Sequence, residues 1–216
     1  CSDGFYLDRK QIYKGDHANW KAANHILINR SIEAAVCENG GDSILKEGLA
    51  YDWCQVGVVT NVEPHRHYGR DDIRTPEQVF TIFRTQVDVV LPTGAAVLNA
   101  REPLLVEMAA LCNGEIIYFS TDPDIDVIKT HRSQGTRGIG SVQGKRAVLI
   151  RDRAILLVTG FDEMALAKLD EIGWIDGRGR AMEVENILAA VAASWALGLA
   201  PAMIREGISL PLLEVE

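Results

Sequence analysis

The sequence predicts an α/β domain: a mostly parallel sheet flanked by helices, with a small antiparallel hairpin subsheet. Three observations carry this. Along the chain the hydrophobic period switches repeatedly between strand-like alternation and helix-like spacing. Several short apolar runs end in a polar residue and then a helical pattern, as parallel strands feeding crossover helices do. Two further apolar runs, 147–150 and 155–158, flank Arg151-Asp152-Arg153-Ala154, which reads as an antiparallel hairpin turn.

Taken in order, residues 1–14 alternate and carry Phe5, Tyr6 and Tyr13, which predicts a hairpin. Gly15-Asp16 breaks it, and Asp16 is the candidate N-cap for a helix over 19–32 whose apolar stripe is Trp20, Ala23, Ile26 and Leu27. Residues 33–38 read as a short buried strand ending at Glu38, before a loose Asn39-Gly40-Gly41-Asp42. Residues 55–60 form a second buried strand, ending at Asn61 and a polar loop that runs to Ile73. Thr75-Pro76-Glu77 opens a helix to about residue 90, since proline is tolerated in the first turn. A strand over 95–98 ends at Asn99. A helix over 103–111, a strand over 115–119 and a helix over 123–134 follow. The hairpin comes next, then an alanine-rich helix over 183–197 and a shorter one over 201–207.

The 216 residues carry a net charge of −8, with 47% hydrophobic and 24% charged residues. A chain this long buries a full core without disulfide or metal staples. Its acidic balance argues against a nucleic-acid or anionic-membrane face, which needs a basic surface. The four cysteines, Cys1, Cys37, Cys54 and Cys112, show no C-x-x-C spacing. Cys37, Cys54 and Cys112 sit in or beside apolar runs and read as small core residues, and the chain reads as a reduced, cytoplasmic protein. No apolar run reaches the ~18 residues of a membrane span. Cys1 starts inside what reads as an ordinary strand, so the chain is expected to be cut from something longer.

In sheets of this kind ligands bind beyond the carboxyl ends of the strands, which makes the polar residues there the first candidates. Glu38 presents a carboxylate suited to magnesium, which takes oxygen ligands alongside phosphates; equally it is a solvated acid at a strand end. His65 and His67 in His65-Arg66-His67 face one way in an extended loop, as a metal or phosphate site or as plain polar surface. Asn99 offers an amide that can pair with an adenine edge, or can cap the helix after it. Asn186, near the start of the alanine-rich helix, is a cap neighbour or a ligand contact. There is no G-x-x-x-x-G-K followed by Ser or Thr: Gly144-Lys145 is followed by Arg146, and position 139 is Ile139. Nor is there a nucleophile elbow or an H-E-x-x-H helix.

Four stretches occur together in order: Glu47-Gly48-Leu49-Ala50-Tyr51-Asp52-Trp53-Cys54-Gln55-Val56-Gly57-Val58-Val59-Thr60-Asn61, Gly94-Ala95-Ala96-Val97-Leu98-Asn99-Ala100, Tyr118-Phe119-Ser120, and Glu185-Asn186-Ile187-Leu188-Ala189-Ala190. With this ordered set the chain resembles the central domain of the ATP-dependent Mur ligases. More closely, it resembles the Mur-like half of bacterial cyanophycin synthetases. The resemblance implies a P-loop-NTPase-like fold over 1–216 in which the P-loop segment is missing, expected upstream of Cys1, with a further domain after Glu216. It implies ATP and magnesium as cofactors. Glu38 and His67 would be magnesium ligands, and Asn61, Asn99 and Asn186 nucleotide contacts. Gln86 would lie where the family carries a lysine that supports the transferred phosphate. The sequence departs from the pattern at Arg66, Arg101 and Gln86.

The implied reaction activates a carboxylate as an acyl phosphate and forms an amide with an incoming amine. In cyanophycin synthetases arginine is joined in this way to aspartate side chains of a polymer. The implied partners are ATP, an amino-acid or peptide-polymer substrate and the rest of the parent synthetase. Without a phosphate loop the chain alone is expected to be inactive. Two other classes stay open: a catalytically silent Mur-like scaffold or homo-oligomer interface, and a small metal-dependent hydrolase using Glu38, His65 and His67.

Overall fold

The structure is a computed structural model that describes residues 1–63, 73–134, 136–138, 141–143, 145–173 and 181–210. The chain divides into two compact units. The smaller holds Cys1–Trp53 with Glu63–Phe83, and the larger Cys54–Val62 with Arg84–Leu212.

The smaller unit opens with strands β1 (Gly4–Leu7) and β2 (Lys10–Lys14), paired antiparallel as the alternation predicts. Leu7 pairs with Lys10, so only Asp8 and Arg9 form the turn, at φ 47° and 66°. Both angles are left-handed, the signature of the mirror-image turn that suits the twist of paired strands. Phe5, Tyr13 and His17 pack their rings together at centroid distances of 5.8–6.1 Å. Helix α1 (Trp20–Leu27) is shorter than its periodicity suggests, and Asn19, not Asp16, caps it by accepting from the Ala22 amide at 3.0 Å. Asp16 instead accepts from the Ala18 amide two residues on, a local turn that competes with capping. The buried face is Ala22 and Ala23, while Trp20 and Leu27 stay exposed. Helix α2 (Gly41–Glu47) begins within the stretch read as loose and ends at Gly48, whose φ of 74° suits glycine alone. Glu47 accepts from the Trp20 amide and so ties the two helices together.

The expected strand over 33–38 is absent. Residues 34–40 are irregular and Val36 is 93% exposed. An apolar run becomes a buried strand only when neighbouring strands take its amides and other layers cover its faces. Among the described residues this run has neither.

The larger unit is one six-stranded sheet in the order β10-β9-β8-β5-β4-β3. Its strands are β3 (Cys54–Val59), β4 (Val90–Asn99), β5 (Glu115–Ser120), β8 (Arg146–Arg151), β9 (Ala154–Thr159) and β10 (Asp162–Lys168). Two short strands, β6 (Thr136–Gly138) and β7 (Ser141–Gln143), form a separate antiparallel pair. β3, β4, β5 and β8 run parallel, and β8-β9-β10 continue as an antiparallel meander. The mixed sheet with its hairpin is the architecture expected from the sequence, with β10 as an added edge. The β8–β9 turn repeats the first hairpin's chemistry: Asp152 and Arg153 stand at φ 49° and 59°.

Helices cross between the parallel strands: α3 (Pro76–Asp88), α4 (Pro103–Met108) with a 3₁₀ turn at Ala109–Leu111, and α5 (Asp126–Ser133). Helices α6 (Ala181–Ala196) and α7 (Pro201–Ser209) close the chain. Strand side chains alternate between faces. Ala95, Val97, Ile117, Phe119, Val148 and Leu157 share one core cluster with Val184, Ile187, Leu188, Val191 and Ala192 of α6. Those α6 positions are spaced as one helical stripe, and alanine among them lets the helix lie close to the sheet. The opposite face buries Leu98, Tyr118 and Leu149 with Leu105, Met108 and Ile128. At Gly57 any Cβ would run into the Gln86 carbonyl oxygen and the Val90 side chain, so glycine is what lets α3 and β3 approach.

Arg146 fastens this sheet to α6. It donates to both oxygens of Glu115 at 2.9 and 2.5 Å and to the Trp195 carbonyl at 3.0 Å, with its guanidinium 4.9 Å from the Trp195 ring centre. Beneath it, buried His131 donates Nε2–H to the Arg146 carbonyl at 3.1 Å and sets its ring edge-on to Tyr118. Burial pushes the His131 pKa below the ordinary imidazole value, against the opposing pull of the Arg146 carbonyl. The unfolded chain takes up this proton near pH ~6.5 and the folded chain resists it. The contribution to stability is therefore complete above that pH. It is lost as pH falls through the unfolded value toward the lower folded one. Urea midpoints measured from about pH 7.5 down to pH 5.5 should fall more steeply for the native chain than for His131→Gln. Parallel slopes would rule His131 out as a cause.

Candidate functional site

The carboxyl ends of β3, β4 and β5 carry Thr60-Asn61, Asn99 and Ser120, each with a local reason to be there. Asn99 is 1% exposed and is the last residue of β4. Its Oδ1 accepts the Arg101 amide at 3.0 Å, and its own carbonyl accepts from Glu102 at 3.3 Å. The side chain thus reverses the chain into α4 as an Asn-turn, one of the two roles open to it from sequence. In register with Phe119, and two residues beyond Val97 on the same strand face, Asn99 stands on the α6 side of the sheet. Ser120 is fully buried and makes the corresponding turn at the end of β5. It donates to the Asp122 carbonyl at 2.7 Å and accepts from the Asp122 amide at 3.0 Å. The Thr60 hydroxyl donates to the Asn61 side-chain carbonyl at 2.9 Å, and Asn61 is exposed.

Arg101 joins these ends to α6. Its Nη1 donates to the Thr121 hydroxyl at 3.0 Å and to the Glu185 carboxylate at 3.3 Å. Glu185 precedes Asn186, which is exposed near the start of α6. The fold therefore brings the first turns of α6, with Asn186, to the strand end that carries Asn99. Sequence reasoning missed this connection. Arg101 registered only as a departure from the family pattern, and nothing in a sequence pairs it with an acid 84 residues on.

Gln86 lies in the last part of α3, its main chain over Gly57 and so level with Ala96, short of the strand ends that hold Asn61 and Asn99. Glu38 belongs to the smaller unit. It is exposed and accepts from the Ser2 amide at 2.8 Å and the Ser2 hydroxyl at 3.2 Å. The buried strand end on which its candidacy rested is not formed. His65, Arg66 and His67 lie outside the described residues. Among the described residues no group of three or more His, Cys, Asp or Glu side chains is arranged to hold a metal ion. A magnesium ion bound with nucleotide needs only one or two protein carboxylates, the rest of its shell being water and phosphate oxygen, and an exposed Glu38 suits that role.

Three of the four thiols, Cys37, Cys54 and Cys112, are held protonated at neutral pH. Burial pushes Cys54 up to about 11, with Cys112 adding to the shift, and burial also raises Cys37 and Cys112. No described helix is long and apolar enough to cross a membrane.

Comparison with known proteins gives a consistent picture. No family model matches the chain. Cyanophycin synthetase of Crocosphaera subtropica is 33% identical over 207 residues, which are 96% of this chain and 23% of that protein. The cyanophycin synthetase of a Synechocystis species is 34% identical over the same shares. A UDP-N-acetylmuramoyl-L-alanyl-D-glutamate--2,6-diaminopimelate ligase of Geobacter metallireducens is 27% identical over 84% of this chain and 32% of its own. The chain thus spans about a quarter of the synthetases it matches. Among solved structures, MurF of Acinetobacter baumannii superposes with a TM-score of 0.50 at 18% identity, over 84% of this chain and 35% of that one. A UDP-N-acetylmuramoyl-L-alanyl-D-glutamate--2,6-diaminopimelate ligase does so with a TM-score of 0.53 at 13% identity, over 83% of this chain and 33% of that one.

Proposed function

The chain is homologous along 96% of its length to a segment of the cyanophycin synthetases and shares its fold with the Mur ligases, and from that premise we propose that it is the nucleotide-binding part of an ATP-dependent amino-acid ligase. The identity running along nearly the whole chain is the observation that carries the reading. Asn99, Asn61 and Asn186 are the proposed nucleotide contacts. Glu38 and His67 are the proposed magnesium ligands, and Gln86 is the proposed residue near the transferred phosphate. ATP transfers its γ-phosphoryl group to a substrate carboxylate, leaving ADP and an acyl phosphate, and an amine then attacks the acyl carbon, expelling inorganic phosphate and giving up a proton as the amide forms. The proposed reaction joins arginine to aspartate side chains of a peptide polymer, in the cytoplasm.

The geometry supports the reading at the adenine end. A buried asparagine ends a parallel strand where such sheets bind ligands, and Arg101, two residues past it, bridges to Glu185 of α6, the chain neighbour of Asn186. Phosphate binding has no such support within these 216 residues, which contain no G-x-x-x-x-G-K followed by Ser or Thr. The chain alone is accordingly proposed to be inactive, while the intact protein is active.

The test compares both forms. The intact protein should release ADP when given ATP, magnesium, arginine and an aspartate-rich peptide, and should release none when the peptide is left out. The 216-residue chain should show no turnover above its Glu38→Ala variant. Turnover by the short chain that Glu38→Ala abolishes would overturn its proposed inactivity, and an intact protein inert toward ATP would overturn the ligase reading. That second outcome would favour a catalytically silent Mur-like scaffold or oligomerisation domain, to which the departures at Arg66, Arg101 and Gln86 also point.

A further inference from the structure

We propose that Arg101 is a positioning residue for the nucleotide base, latching the Asn186 turn of α6 to the Asn99 end of β4 through Glu185. The inference deepens the nucleotide reading and rests on it. Asn99 and Asn186 come from elements far apart in sequence, and a base contacted by both requires their separation to be held within a fraction of an ångström. Hydrophobic packing of α6 on the sheet sets the helix over the core. It restrains sliding or rotation at the helix start less well, because apolar contact is not directional.

Directional restraint at that end is what Arg101 adds. Its main-chain N–H is held by Asn99 Oδ1 at 3.0 Å. Its guanidinium donates at 3.0 Å to Thr121, just beyond β5, and at 3.3 Å to Glu185, one residue before Asn186. One residue thus touches three parts of the candidate site: the Asn99 side chain, the loop after β5 and the second turn of α6. Planar guanidinium geometry fixes both bonds in direction as well as length, which an ammonium group does less well.

The bridge is half exposed at the arginine, so its energetic weight is modest and its effect should appear in geometry more than in stability. In the intact protein, Arg101→Ala and Glu185→Gln should each weaken ATP binding by about three- to fivefold, the size expected for an exposed ion pair. The double variant should lose no more than either single one, because both remove the same latch. Preference for ATP over GTP should fall together with affinity, and Arg101→Lys should recover part of both. Urea midpoints should hardly move, which separates positioning from a general structural role.

Titration calorimetry with ATP and with GTP reads the affinities and the base preference, and urea unfolding reads the midpoints. Undiminished ATP affinity and base preference in Arg101→Ala would overturn the inference while leaving the nucleotide reading intact. Losses that multiply in the double variant would overturn it as well. An intact protein that binds no ATP would overturn the nucleotide reading and the inference with it.

Discussion

Phe119→Ala is expected to lower the unfolding free energy of the chain by about 3–5 kcal/mol, the range for emptying a fully buried phenylalanine site. Phe119 is among the largest side chains with no exposed surface, and it belongs to the cluster formed by the sheet and α6. The neighbouring strands β4 and β8 are hydrogen-bonded on both sides of β5, so they cannot move in to fill the void. The remaining way to collapse is a shift of α6 toward the sheet, which would change where Asn186 stands relative to Asn99. Phe119→Leu keeps most of the volume and should cost less than half as much. Urea unfolding of the three proteins measures this. A loss under about 1 kcal/mol for the alanine variant would show that the site repacks freely and that Phe119 is no keystone. Hydrogen exchange offers a second reading: the amides of α6 should lose protection before those of β9 and β10.

The second large effect is expected at Asn99, where two roles can be separated by the choice of substitution. Asn99→Ala removes the acceptor of the Arg101 amide at a buried turn, which should cost about 1–3 kcal/mol of stability. On the proposed nucleotide reading it also removes a base contact worth about 1–3 kcal/mol, or up to roughly a hundredfold in ATP affinity of the intact protein. Asn99→Asp keeps an oxygen for the Arg101 amide but loses the amide donor. It should retain most of the turn and still lose ATP affinity. Normal ATP binding in Asn99→Asp would place the residue in the turn alone. Affinity that falls in both variants, beyond what their stabilities explain, would support the base contact.

Legibility from sequence followed the strength of the physical signal. β3, β5, β8 and β9 are short runs of Val, Ile, Leu and Tyr bounded by turn residues, and each is legible to within a residue or two. α6 has an apolar stripe at helical spacing backed by alanines, and α3 has proline in its first turn; both are strong local statements. β10 is hidden from sequence reasoning because four of its first residues are exposed and an edge strand needs little apolar alternation. α2 is seven residues long and starts on glycine, too short and too weak a helix former to be seen by period. β4 is longer than its apolar core because residues 91–94 extend it through an irregular register that tolerates Pro92. Among the candidate site residues, the positions of Asn61 and Asn99 at strand ends were legible. The Arg101–Glu185 bridge was not, because it joins side chains on unrelated elements.

By itself, the sequence determined the fold class, most of the sheet and the kinship with Mur-type ligases. These rest on local periods, turn chemistry and an ordered set of short motifs, all of which are properties of neighbours along the chain. Tertiary structure alone decided which apolar runs are truly buried. Residues 33–38 have the composition of a core strand, yet burial depends on partners that composition does not name. It also decided which polar residues meet. Side-chain bonds between Arg101, Thr121 and Glu185 exist only after β4, β5 and α6 have packed, since the directional part of the site forms on top of the non-directional core.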